Sequence, residues 1–323
     1  MSSNQQTTGS QPLGVRVQAM RHEATGIVSV ELVAPDGAEL PAFAAGAHID
    51  LHLPNGLVRS YSLWNAPQER HRYVIGVLND RNSRGGSRYV HEQLRVGATI
   101  PIGAPRNNFP LDEAAAHTVL VAGGIGITPI YAMLNELRRL GKSVELLYCA
   151  RSRSEAAFVD RLAADAGVRL HFDQEAGGPP DLRAWLAAKP SSAHFYCCGP
   201  TPMLNAFEGL CAELGLANMH IERFAPTEPV VAMQGSAYEC QLARSQKLVR
   251  VPAGKSLLDA LLEAGVDVDH SCREGVCGSC ETAVLDGVPD HRDGVLTKAE
   301  RDAGKTMMVC VSGCKGQRLV LDL

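Results

Sequence analysis

Three thiols crowd one stretch of the chain, Cys272-Arg-Glu-Gly-Val-Cys277-Gly-Ser-Cys280, and a fourth, Cys310, follows at a distance. A C-x4-C-x2-C run with a remote fourth cysteine is the spacing of plant-type [2Fe–2S] clusters, in which four thiolates converge on two irons. A loop wound that tightly needs Gly275 and Gly278 to bend the chain and to aim backbone N–H groups at sulfur. The competing readings are a zinc site or reduced core cysteines, and zinc favours paired C-x2-C knuckles. Cys314 rivals Cys310, since both lie in Met308-Val-Cys-Val-Ser-Gly-Cys-Lys. Cys310 is the better ligand because it follows the apolar stretch that would pack under the loop, which leaves Cys314 as a free thiol. Cys149, Cys211 and Cys240 are scattered and read as core residues.

A second chemistry is written in Arg59-Ser-Tyr-Ser-Leu63, which closes a predicted strand. Alternation puts Arg59, Tyr61 and Leu63 on one side and Ser60 and Ser62 on the other. An arginine can clamp a phosphate, a tyrosine can lie against an isoalloxazine or ribityl chain, and a serine hydroxyl can reach a reactive ring nitrogen. Taken alone, the same residues describe an amphipathic strand with a surface arginine. Downstream, Arg84-Gly85-Gly86-Ser87 opens a predicted helix, where free N–H groups, the helix dipole and Arg84 would hold a terminal phosphate. A solvated basic face accounts for the arginines there but not for the glycine pair.

The third chemistry is nucleotide binding. Ala122-Gly123-Gly124-Ile125-Gly126-Ile127-Thr128-Pro129 lies between a predicted strand and helix, where small residues let a pyrophosphate approach the backbone. Its form departs from G-x-G-x-x-G, and one such turn is common. A second turn, Tyr196-Cys197-Cys198-Gly199-Pro200-Thr201, also follows a strand and leaves room for a flat nicotinamide ring. Two such turns at carboxyl strand ends of one domain reinforce each other, since ligands bind along that edge of an open α/β sheet. Ser152 and Arg153 follow another strand where a 2′-phosphate could bind, so NADPH stays open beside NADH.

These groups need three kinds of scaffold. Short alternating stretches at 15–17, 49–53 and 73–77, separated by Pro, Gly and Asn turns, predict an antiparallel β barrel over residues 13–111. From 112 to 228 apolar strands at 118–122, 144–148, 169–172 and 194–197 alternate with helical spacing such as Met133, Leu134, Leu137 and Leu140, the pattern of an α/β parallel-sheet domain. After a linker at 229–237, a hairpin over 238–251 and a helix at 256–264 open an α+β domain that runs to 323 and holds the cysteine loop. Residues 1–12 are polar and read as a disordered tail. With 45% apolar and 20% charged residues the composition is that of a soluble multidomain protein, and a net charge of -4 gives no footprint for nucleic acid or an anionic membrane. No stretch is apolar for the roughly 18 residues of a membrane span, so the expected compartment is cytoplasmic.

Arg59-x-Tyr-Ser, the Gly-Gly-Ser helix entry, Gly-Gly-Ile-Gly-Ile-Thr-Pro, Cys-Cys-Gly-Pro and the C-terminal cysteine loop occur in an order that resembles the phthalate dioxygenase reductase family over residues 15–323. Pro105-Arg106-Asn107-Asn108-Phe109 and Cys310-Val-Ser are similar to that family and to the related vanillate O-demethylase reductase subunits. The resemblance implies FMN as the flavin, NADH as donor, and a separate Rieske non-haem iron oxygenase as acceptor. It implies FMN contacts at Arg59, Ser60, Tyr61, Ser62 and Ile75, its phosphate at Gly85, Gly86 and Ser87, and Phe224 covering the ring. It implies a nucleotide turn at Gly124, Gly126, Thr128 and Pro129, with Asp173 towards the adenosine ribose. Cys198, Gly199 and Pro200 would then meet the nicotinamide, with Ser62 and Cys198 beside the reacting atoms, and Cys272, Cys277, Cys280 and Cys310 would hold the cluster.

NADH delivers two electrons as a hydride and a [2Fe–2S] cluster takes one at a time, so a flavin must stand between them. The expectation is therefore an NADH-dependent oxidoreductase that works as a monomer and delivers electrons to a partner protein. Its rivals are a free-standing flavin reductase or NADH oxidase, a reductase for a cytochrome P450 or di-iron hydroxylase, and a one-electron carrier whose upstream domains only bind a partner.

Overall fold

A computed structural model describes residues 12–81, 83–225 and 236–323. The tail expected over 1–12, apart from Pro12, and most of the linker expected over 229–237 lie outside the described residues. The chain divides into two compact units, Met1–Glu222 and Arg223–Leu323.

In the first unit, valine and isoleucine alternate with polar residues, and every second side chain turns inward. Val15, Val17, Ile49, Leu51, Ile75 and Val77 are fully enclosed as a result. Six antiparallel strands follow in the order Val58–Ser62, His48–His52, Thr99–Ile102, Leu13–Ala24, Ile27–Val33, Tyr73–Leu78. The outer two meet where Leu63 bridges Ile75 and the Trp64 N–H donates to the Val74 carbonyl at 3.0 Å. This seam closes the sheet into the expected barrel and removes its edges. Helix Gly86–Glu92 contributes Val90 to the barrel core.

Five parallel strands complete the unit in the order Met219–Glu222, His194–Cys198, His117–Gly123, Ser143–Ala150, Val168–Phe172. Both faces are covered, which is why these strands read as continuous apolar runs. Leu120, Ala122, Leu146 and Tyr148 pack with helix Ile127–Arg139 on one face. Val119, Val121, Leu147 and Cys149 pack with helices Leu182–Ala187 and Thr201–Leu214 on the other. Helix Ile127–Arg139 begins well before Met133, the first of its spaced apolar residues. The glycine turn is a single tight turn, Gly124–Gly126, that runs straight into it, and Pro129 sits in the first helical turn, where its missing N–H costs nothing. Trp64, Val74 and Phe109 of the barrel share one apolar cluster with Ile130, Met133 and Tyr148, so barrel and parallel sheet are continuous in packing.

In the second unit, Tyr238–Leu242 and Leu248–Val251 form the expected hairpin. Helix Leu257–Glu263 is capped by Ser256, whose hydroxyl accepts the Asp259 N–H at 3.0 Å. The sheet order is Leu248–Val251, Tyr238–Leu242, Arg318–Leu321, Glu281–Asp286, Thr306–Met308, with Arg318–Leu321 running parallel to Tyr238–Leu242. Cys280 and Cys310 belong to the apolar core of this unit.

Candidate active site

The cysteine loop is shaped by left-handed residues. Arg273, Gly275 and Gly278 take φ of 58°, 69° and 73°, and a Cβ on Gly275 would lie 2.5 Å from Val311 Cγ2. The two glycines expected to bend the loop therefore do so. All four expected ligands are buried. The Cys272 N–H donates to Cys277 Sγ at 3.5 Å. The neighbouring Cys272 thiol holds the Cys277 thiol below its ordinary value, aided by Ser279 and by backbone N–H groups, while Cys277 and burial push Cys272 up. The Glu274 N–H donates to Cys272 Sγ at 3.3 Å, and the Ser279 hydroxyl lies 3.1 Å from Cys277 Sγ. Four buried thiols in a loop whose N–H groups point at sulfur fit a [2Fe–2S] cluster, which Cys272, Cys277, Cys280 and Cys310 would hold. Cys314 is bonded elsewhere: it accepts the Gly316 N–H at 3.3 Å and donates to the Arg318 carbonyl at 3.4 Å.

On the barrel, strand Val58–Ser62 separates its two serines in function. The Ser60 hydroxyl donates to Asp50 at 2.6 Å, and Asp50 also accepts from Arg106 at 2.6 Å, so Ser60 is tied into the barrel wall. The Ser62 hydroxyl is enclosed without a hydrogen-bond partner. A buried orphan hydroxyl is a site where a ligand atom completes the pairing. Burial pushes the Tyr61 phenol up to about 12 although Arg59 opposes the rise. A Cβ on Gly86 would lie 2.6 Å from Arg59 Cγ, so the arginine lies across the glycine helix entry, and Gly85 takes φ 102°. The structure thus brings Arg59 beside the Gly85-Gly86-Ser87 helix entry. Ile75 is fully buried at the barrel seam, and Phe224 is 42% exposed in the second unit.

The two glycine turns of the parallel sheet touch. A Cβ on Gly126 would fall 2.3 Å from the Cys198 carbonyl oxygen, and one on Gly199 would fall 3.1 Å from Gly123 Cα. Thr128 donates to the Ile125 carbonyl at 3.0 Å, and its methyl would meet a Cβ on Gly76 at 2.7 Å, linking the turn to barrel strand Tyr73–Leu78. The Cys198 thiol is fully buried and is pushed well above its ordinary value, first by burial and then by Glu222 and Cys197, so it stays protonated.

Glu222 escaped the sequence reading because Met219–Glu222 alternates too many polar residues for a buried strand. It pairs with Cys198 across the sheet, its Oε2 is enclosed without a hydrogen-bond partner, and burial raises its carboxyl to about 8. The available signal was its position, an acid at the carboxyl end of the strand beside Cys-Cys-Gly-Pro. Further along the same edge, Asp173 follows strand Val168–Phe172 and lies 3.4 Å from His171 Nε2, and Ser152 donates to Glu155 at 3.3 Å.

A closed barrel with an orphan serine, a parallel sheet with paired glycine turns, and a four-thiol loop in one chain define an iron–sulfur flavoprotein reductase. Residues 241–315 match the 2Fe-2S iron-sulfur cluster binding domain. Phenoxybenzoate dioxygenase subunit beta of Ectopseudomonas oleovorans is 51% identical over 97% of this chain and 98% of its own length. The solved phthalate dioxygenase reductase, described as a modular structure for electron transfer from pyridine nucleotides to [2Fe–2S], is 39% identical with a TM-score of 0.72, over 97% of this chain and 98% of that one. An intact type IV self-sufficient cytochrome P450 monooxygenase matches 97% of this chain at 41% identity and a TM-score of 0.89, and this chain spans 41% of its length. The chain belongs to the phthalate dioxygenase reductase family. It is an oxidoreductase of an oxygenase system, with sites for a pyridine nucleotide, a flavin and a [2Fe–2S] cluster. Among the described residues no helix is long and apolar enough to cross a membrane.

Proposed function

We propose that the chain draws electrons from NADH, uses FMN as its flavin, and delivers them singly to a separate Rieske non-haem iron oxygenase, working as a cytoplasmic monomer. The observation that carries this reading is the burial of Cys272, Cys277, Cys280 and Cys310 in one loop whose backbone N–H groups reach sulfur, in a chain that also holds the orphaned Ser62 hydroxyl. When bound, NADH supplies a hydride, the flavin accepts the pair, and the cluster passes electrons on one at a time.

The chain's own residues orient and insulate. Ser62 offers its unpaired hydroxyl to the flavin ring, Tyr61 stays protonated far above neutral pH, and Ile75 bounds the pocket. Arg59 and Arg84, with Gly85, Gly86 and Ser87, take the flavin phosphate. Ser60 acts indirectly, by holding Asp50. Gly124, Gly126, Thr128 and Pro129 leave space for the pyrophosphate, while Gly199 and Pro200 shape the nicotinamide end. Cys198 presents a small neutral thiol there, and Glu222, protonated below about pH 8, keeps negative charge away from it.

Anaerobic titration with NADH, followed by visible spectra and low-temperature EPR, tests the route. The expected result is flavin bleaching and then a reduced [2Fe–2S] signal. A Cys277→Ser variant should keep the bleaching and lose reduction of cytochrome c. Full cytochrome c reduction by that variant would refute the route through the cluster. A P450 partner is the second reading, favoured by the match to the self-sufficient monooxygenase. Turnover of purified Rieske or P450 components with this reductase separates the two.

A further inference from the structure

Sheet order fixes the direction in which a dinucleotide lies. The turn Gly124–Gly126 follows the central strand, and Cys198 ends the strand on one side of it. With the pyrophosphate on the glycine turn and the nicotinamide at Cys198, the adenosine half must extend to the other side, across the carboxyl ends of Ser143–Ala150 and Val168–Phe172.

The side chain best suited to a 2′-phosphate at those ends is Arg153, because a guanidinium matches phosphate with two parallel N–H donors. It is already engaged. Arg153 Nε and Nη2 lie 3.3 Å and 3.5 Å from the two Glu175 carboxylate oxygens, and the guanidinium stacks 4.5 Å above the Phe172 ring. The Asp173 carboxylate, 41% exposed, stands at the same strand end, and the Ser152 hydroxyl is turned to Glu155. The edge carries the arginines Arg151 and Arg153 and the carboxylates Glu155, Asp173 and Glu175, of which Arg153 and Glu175 pair.

We propose that Glu175 makes this chain selective for NADH over NADPH, by holding Arg153 against Phe172 and, with Asp173, presenting negative charge where a 2′-phosphate would sit. A ribose 2′-hydroxyl can donate to a carboxylate at that place, whereas a phosphate meets like charge and an engaged arginine. This inference rests on the reductase reading above.

The test compares NADH and NADPH kinetics in wild type, Glu175→Ala, and the double variant Glu175→Ala/Arg153→Ala, with inhibition by adenosine 2′,5′-bisphosphate against 5′-AMP as a readout independent of turnover. Arg153 and Glu175 are both exposed, so the fold should tolerate the changes. Glu175→Ala should raise kcat/KM for NADPH by about tenfold through KM and tighten the bisphosphate to a similar degree, with NADH kcat unchanged. Adding Arg153→Ala should remove the gain. An unchanged NADPH-to-NADH ratio in Glu175→Ala, or a gain that survives loss of Arg153, overturns the proposal. If NADH fails to bleach the wild-type flavin, the reductase reading itself falls, an outcome that a selectivity failure alone does not produce.

Discussion

Glu222 carries the clearest consequence at the scale of single residues. Its carboxyl stands at about 8 in the folded chain against an ordinary 4.5, because burial penalises the charged form. Between those pH values the native state keeps a proton that the unfolded chain has released, so stability falls as pH rises through the window and the full penalty is present above pH 8. Glu222→Gln should remove that slope. In urea unfolding followed by flavin release, the variant should gain on the wild type from pH 5 to pH 8.5, by on the order of a few kcal/mol. Parallel curves for the two proteins would mean that the carboxyl is solvated. At this scale the sequence was legible where spacing is chemically constrained. The spacing of Cys272, Cys277 and Cys280 pointed to a cluster loop, and residues 241–315 match the 2Fe-2S iron-sulfur cluster binding domain, while the preference for Cys310 over Cys314 came from the apolar stretch before it. It was silent where a side chain's task depends on a partner distant in sequence. Ser60 and Ser62 look alike in Arg59-Ser-Tyr-Ser-Leu63, and only Asp50, across the sheet, makes one a wall residue and leaves the other unpaired.

At the scale of elements, two turns behave as one part. Gly126 is confined by backbone, the Cys198 carbonyl, which cannot swing aside as a side chain can. Gly126→Ala should therefore part the two turns, raising KM for NADH by about tenfold or more while the bound flavin keeps its spectrum. Gly124→Ala makes a useful contrast. That glycine has open space around its missing Cβ and only a left-handed φ of 53°, so the substitution should cost about 1 kcal/mol of stability with a smaller effect on KM. An equal KM effect in both variants would show that the contact with Cys198 is unimportant. Apolar periodicity located the barrel strands Leu13–Ala24, His48–His52 and Tyr73–Leu78, four of the five strands of the parallel sheet, and helix Leu257–Glu263. It missed Met219–Glu222, whose half-buried, mixed residues belong to a strand at the sheet edge. It also placed the start of helix Ile127–Arg139 late, since glycines and a proline conceal a helical first turn.

The whole molecule consists of two units with separate apolar cores. Those of the first draw on residues up to Ile221, and that of the second begins at Tyr238. Separate cores predict separate unfolding transitions. Because Cys280 and Cys310 lie inside the second core, Cys277→Ser should lower only that unit's transition in scanning calorimetry of the holoprotein. A single transition that shifts as one would contradict the division. The sheet of the second unit adds a constraint of another kind, on how the protein is made. Its central strand, Arg318–Leu321, is the last of the five to be synthesised, and it must slot between Tyr238–Leu242 and Glu281–Asp286. A nascent chain that stops short of it has only the outer pairs of the sheet, and the thiol of Cys310 has no finished core to sit in. Iron and sulfide must therefore wait for translation to pass this strand, so the cluster cannot be seated while the domain is still being made.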